Sequence, residues 1–217
     1  QKGYPVRLWD VFAENGTPVR VTISEMGPQL LSRLFDLNAT QEGILTLAFE
    51  FADEEGLLLL DLDDLQTTLN YLGEHTRELK AEYGSISKAS INAIQRKMLV
   101  FERAGGDLFF GEPAIHFEDF IQTDMSGNGI INLFDAQSLV NSQRIYTTFL
   151  LWMLSEMFEN LPEVGDRDKP VAVFFFDEAH LLFKDVPKIF LEKIEQVIRL
   201  IRSKGIGIYF ITQSPAD

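Results

Sequence analysis

The chain has 217 residues, 46% hydrophobic and 24% charged, with a formal net charge of -14 and a pI of about 4.6. That length can bury a sizeable core in one domain or two closely packed ones. Its acidic balance repels phosphate backbones, so it argues against a stand-alone nucleic-acid binder. There is no cysteine, which excludes disulfides and thiolate metal sites and fits a reducing, cytoplasmic setting. No apolar run approaches the length of a membrane span, and the opening residues do not read as a signal peptide. Gln1 stands where a Met would, and Asp217 closely follows a strand pattern, so both ends read as cut.

Residues 5–12 and 17–24 alternate apolar with polar side chains around Asn15-Gly16, which predicts an antiparallel β-hairpin over 1–24. From Glu25 the period becomes helical, with Leu30, Leu31, Leu34 and Phe35 on one face. Asn38 with Gln41 three residues on predicts a capping box opening a helix over 39–52, and Gly56 stops the chain there. Leu60 to Leu65 opens another helix, with Asp61, Asp63 and Asp64 placed where the helix dipole favours acids. A longer helix is expected over 87–104, with Ile91, Ile94, Met98 and Leu99 inward, before Gly105-Gly106. Residues 25–125 thus read as a helical region without repeats, low-complexity sequence or a catalytic constellation.

From 126 to 217 the pattern is strand, helix, strand, helix, strand: 129–134, 144–160, 171–176, 187–203 and 206–212. Such alternation predicts βαβ units in one parallel sheet. The central run, Val171 to Phe176, is continuously apolar and reads as a strand buried on both faces. It stops at Asp177-Glu178. Open α/β sheets present ligand groups at the carboxyl ends of their strands, and two acids there call for a cationic partner. A magnesium-bound nucleotide supplies one, which makes the run Walker-B-like; a plain solvated Asp-Glu pair is the alternative.

On the nucleotide reading, Asp177 holds Mg2+ and Glu178 polarises the attacking water as general base. The next strand ends in Thr212-Gln213, placing an amide that can sense a γ-phosphate, or else cap its own backbone. Arg199 and Arg202 stand near the end of the preceding helix. They either complement its dipole or act as an arginine finger on a neighbouring subunit's nucleotide, with Arg202 preferred. His180 reads as a helix-start residue, since no His or Cys lies close by. The phosphate-gripping G-x-x-x-x-G-K-[ST] loop does not occur in the chain and is expected upstream of Gln1.

Asp124 to Asp135 also matches a calcium-loop pattern, with Asp124, Ser126 and Asn128 at positions 1, 3 and 5 and Gly129 at 6. Asp135 at position 12 is shorter than the usual Glu, and the loop is single. A tight polar turn before a strand is the competing reading.

Phe174 to Phe183, Arg199 to Gly207 and Thr212-Gln213-Ser214-Pro215 together resemble the HerA-like ATPases of the HerA–FtsK superfamily. Ile23-Ser24-Glu25-Met26-Gly27-Pro28, Thr40-Gln41-Glu42-Gly43 and Phe109-Phe110-Gly111-Glu112-Pro113 resemble its bacterial YjgR-like branch in particular. The resemblance covers nearly the whole chain. It implies an α/β, RecA-like P-loop NTPase core with a large helical insertion, incomplete here because the Walker A loop is absent. It further implies hydrolysis of ATP with Mg2+ in a helicase- or translocase-like motor, and a homo-oligomeric ring, often a hexamer. DNA as a partner comes from the family alone, against the acidic charge. The missing Walker A strand is expected between the Walker B strand and the Gln213 strand. A non-catalytic acidic module that docks a partner through the helical region remains the alternative.

Overall fold

The computed structural model describes residues 3–11, 14–103, 105–135, 143–160, 169–180 and 188–212. They divide into two compact units, one of Leu8–Ile115 and one of Gln1–Arg7 with His116–Asp217. Strand β1 (Val6–Asp10) carries the chain from the second of these into the first.

The Leu8–Ile115 unit is mainly helical. Its first departure from expectation lies at the N-terminus, where β2 (Thr17–Pro18) pairs with β1 in parallel, Trp9 opposite Thr17 and Asp10 opposite Pro18. The antiparallel hairpin is not formed. A two-residue type I′ turn needs positive φ at both Asn15 and Gly16, and neither adopts it. Instead the Asp10 carboxylate accepts from the Glu14 and Asn15 amides at 2.8 and 2.9 Å, curling the loop back. Gly16 then passes so close to Leu8 that an added Cβ would stand 2.9 Å from its carbonyl oxygen.

Residues 19–24 do not continue as a strand either. The Thr22 hydroxyl accepts from the Glu25 amide at 3.1 Å and Glu25 accepts from the Thr22 amide at 3.0 Å. This capping box opens α1 (Ile23–Leu34), which bends where Gly27 takes φ 72° ahead of Pro28. The expected box at Asn38 and Gln41 forms and opens α2 (Ala39–Glu54). Asp61 accepts from the Asp63 and Asp64 amides, both at 3.0 Å, and opens α3 (Leu62–Glu74). A short α4 (Lys80–Tyr83) leads to α5 (Lys88–Arg103). Leu31, Leu45, Leu65, Leu69, Leu72, Ile94 and Met98 are fully buried where these helices meet.

In the other unit, β3 (Ile131–Asp135) receives its first hydrogen bond at Pro5, whose carbonyl accepts from the Ile131 amide at 2.9 Å. It lies beside β1 and not in one sheet with the later strands. Helix α6 (Gln143–Asn160) has Ile145, Phe149, Leu150, Leu151, Trp152 and Leu154 buried. Strand β4 (Ala172–Phe176), α7 (Lys188–Ile201) and β5 (Ile206–Phe210) form one βαβ unit. Its strands pair in parallel over five consecutive positions, from Ala172 opposite Ile206 to Phe176 opposite Phe210.

Two expectations are corrected here. The Walker-B-like strand and the strand leading to Thr212 are direct neighbours, so no strand position stands open between them. Nor is β4 buried on both faces: Phe176 is buried, but Val173 and Phe175 are 40% and 66% exposed. Phe175 stacks on the equally outward Tyr209, with ring centroids 5.0 Å apart. A continuous apolar run thus serves a sheet of which only one face is covered among the described residues. The mixed α/β architecture with a parallel sheet is the one the sequence led us to expect. No described helix is long and apolar enough to cross a membrane.

Candidate functional site

Beyond Phe176 the chain must leave the sheet, and the adjacent strand governs how it does so. The Ile211 amide donates to the Phe176 carbonyl at 2.8 Å, and the Ala179 amide donates to the Ile211 carbonyl at 2.9 Å. These two bonds bracket Asp177 and Glu178 and tie their turn to the end of β5. Thr212, the residue after Ile211, is thereby brought to the same carboxyl end of the sheet.

Asp177 is exposed, and its Oδ1 accepts from the Glu178 amide at 2.9 Å. Glu178 takes φ 50°, a left-handed conformation that costs a non-glycine residue about 1–3 kcal/mol. Ala179 is buried, His180 has helical backbone, and residues 181–187 lie outside the described residues. The Glu178 carboxylate doubles back onto His180, with Oε2 3.2 Å from Nδ1. Both atoms are shut off from water, and the contact is close without being an aligned hydrogen bond.

A further group near the acids was not legible in sequence. Tyr146 of α6 is buried, and burial pushes its phenol above the usual 10.0, with the negative charge of Asp177 adding to the rise. Nothing in the local pattern of α6 marks this tyrosine out from the apolar residues around it.

The remaining expected site residues divide. Gln213 lies outside the described residues, as do Ser214 and Pro215. Arg202 stands in a short 3-10 turn, Arg202–Lys204, and its side chain lies outside the described set. Arg199 is 78% exposed and pairs with Glu195 one turn earlier at 3.3 Å, a surface ion pair worth at most about 1 kcal/mol. The structure does not bring it to Asp177 within this chain.

The Asp124 loop folds as a polar turn. Asp124 Oδ1 accepts from the Ser126 and Asn128 amides, both at 2.8 Å, and these donors hold its carboxyl below the usual range, led by the Asn128 side chain. Thr123 and Gly129 then bridge as antiparallel neighbours. The exit is β3, not a helix, so Asp135 is carried about 13 Å along a strand from Ile131. A calcium loop needs position 12 to curl back over the ion, and this backbone leads it away.

Among the described residues, no three His, Cys, Asp or Glu side chains gather to hold a metal. Magnesium rarely needs such a cage: one or two carboxylates suffice when phosphate oxygens and water complete the shell. Asp177, exposed at the strand end, supplies such a carboxylate, so the residues present fit a nucleotide-bound Mg2+. They do not supply the phosphate grip.

Open α/β sheets present their ligand groups at the carboxyl ends of parallel strands, and the adjacent acids Asp177 and Glu178 stand at such an end. The sequence matches the family described as helicase HerA-like C-terminal across residues 1–217. The chain belongs to the HerA-like family, a family of ATPase, helicase-like motors. No curated protein gives a significant match.

Proposed function

We propose that Asp177 and Glu178 are the hydrolytic half of a magnesium-dependent ATPase site, in a HerA-like motor of the YjgR-like branch that works in the cytoplasm as a ring. The observation that carries this reading is the bracketed turn. Two backbone bonds from β5 fix adjacent carboxylates at the strand end, with Glu178 held in a costly left-handed conformation. Bound Mg2+ would neutralise phosphate charge as it develops. Asp177, the exposed acid, holds the ion. Glu178 accepts the proton of the attacking water as that water's oxygen bonds to the γ-phosphorus and the bond to the bridging oxygen breaks. Thr212 lies at the same strand end, with Gln213 following as the γ-phosphate sensor. Arg199 and Arg202 are assigned to a neighbouring subunit's nucleotide.

No Gly-Lys-Ser or Gly-Lys-Thr is present in these 217 residues, so none of them is assigned the phosphate grip. The test is ATP turnover by the full-length protein with and without Glu178→Gln. Turnover falls about 100-fold or more if Glu178 is the base. Turnover left intact removes Glu178 from the role. If the full-length wild type shows no magnesium-dependent ATP binding at all, the acidic interaction module is the better reading.

A further inference from the structure

We infer that His180 is a positioning residue for Glu178, anchoring one oxygen of the base so that the other meets the attacking water. The inference rests on the assignment of Glu178 as general base. It starts from a backbone that leaves Glu178 little choice of direction. Its φ of 50° turns the side chain away from the course a strand residue would follow, and the buried Ala179, bonded to Ile211, fixes the next peptide. The carboxylate lands with Oε2 3.2 Å from His180 Nδ1.

Solvent exposure within the side chain is uneven. The Glu178 side chain is 41% exposed, yet Oε2 is shut off from water, so the exposure belongs to its other atoms. An unanchored glutamate has three side-chain torsions over which to spread its carboxylate. An imidazole nitrogen against Oε2 removes most of that freedom and makes Oε1 the oxygen that takes the proton. Catalytic contacts are often loose before substrate binds and tighten afterwards, which suits a 3.2 Å pairing that is not yet an aligned hydrogen bond. His180 acts through Glu178 and touches no reacting atom. The neutral ring suffices, with a proton on Nδ1 facing the carboxylate.

Misplacing a reacting group by about 1 Å can cost as much as 100-fold in rate, so loss of the anchor should appear in kcat and not in nucleotide affinity. The experiment compares the full-length wild type with Glu178→Gln, His180→Ala, His180→Leu and His180→Asn. It measures steady-state ATP turnover and the Kd of a fluorescent ATP analogue with Mg2+. His180→Ala and His180→Leu are expected to lower kcat about 10-fold or more while Kd stays within about 2-fold. His180→Asn restores most of the loss, because its amide nitrogen stands where Nδ1 stood. The inference is overturned if Ala and Leu turn over like wild type, if Kd worsens in step with kcat, or if Asn is no better than Leu. Should the Ala variant not fold, the Leu and Asn pair decides alone. Intact turnover in Glu178→Gln overturns the underlying assignment. Lost turnover there beside unchanged His180 variants overturns only the anchor.

Discussion

The helical unit, Leu8–Ile115, and the unit built on β4 and β5 obey local rules to different degrees. In the first, α1, α2 and α3 each open on a reciprocal capping box, and the large apolar side chains between the helices are fully buried. Chain propensity, capping and packing agree there. In the second, a glutamate sits at φ 50°, two acids follow an apolar strand directly, and Phe175 and Tyr209 stack outward from a sheet. Consistency across levels is what makes a sequence specify a structure, and proteins breach it chiefly at functional sites. The helical unit has one left-handed non-glycine residue of its own, Asp36 at φ 56°, but among the described residues only at Glu178 does the left-handed backbone coincide with adjacent acids at a strand end. On the proposed reading, the contrast separates a region built for stability from one that gives up some stability to hold its acids.

The largest expected effect compares equivalent truncations in the two regions. Leu69, in α3, is 0% exposed, and Leu69→Ala should lower unfolding stability by about 2–5 kcal/mol. Phe175→Ala removes a larger side chain, yet from a position 66% exposed, and should cost well under about 1.5 kcal/mol. Urea denaturation of the two variants measures both. Equal losses would mean that the outward face of β4 is covered in the protein as it exists, and the contrast between the regions would dissolve.

A smaller effect of opposite sign is expected at Glu178. Glycine enters the left-handed region without the Cβ clash, so Glu178→Gly should raise stability by up to about 1 kcal/mol while abolishing turnover. Glu178→Ala loses the same carboxylate but keeps the β-carbon, and should show no such gain. A stability rise confined to Gly would locate the strain in the backbone. If Ala gains as much, the cost lies in the carboxylate's surroundings instead.

How far the sequence anticipated all this depends on how local each feature is. The capping box of α2 was legible because it lies within four consecutive residues; at α3 the acids were legible as partners of the helix dipole, and the box that Asp61 and Asp64 form was not anticipated. That of α1 lies as locally in Thr22-x-x-Glu25, inside the apolar alternation of 17–24 that reads as a strand, and it was not anticipated. Strand pairing was not legible: alternation says which residues share a face, not which strand lies alongside or in what direction. Hence β2 runs parallel to β1, β3 stays out of the β4–β5 sheet, and those two strands touch with no gap. Asp177 and Glu178 stood out because an apolar run ended in adjacent acids. The turn of Glu178 onto His180 and the nearness of Tyr146 to Asp177 depend on tertiary placement, for which one-dimensional spacing has no signal.

Tyr146 offers the smallest and most specific test of the contrast. Its phenol is held above 10.0 by burial first and by the Asp177 charge second. A group whose folded pKa is raised binds its proton more tightly in the native state than in the unfolded one. Its contribution is therefore fully present below pH 10.0 and is lost as pH rises through the folded value. Tyr146→Phe removes that titration while keeping the ring. The stability gap between wild type and Tyr146→Phe, followed by urea denaturation from pH 8 to pH 11, should stay constant up to about pH 10 and then shift in favour of Phe. In an Asp177→Asn background the second cause disappears, so the shift should still begin at about pH 10, where the unfolded tyrosine titrates, but be smaller and complete at lower pH. A crossover that Asp177→Asn does not move would leave burial as the whole cause. It would also detach Tyr146 from the strand end where the acids stand.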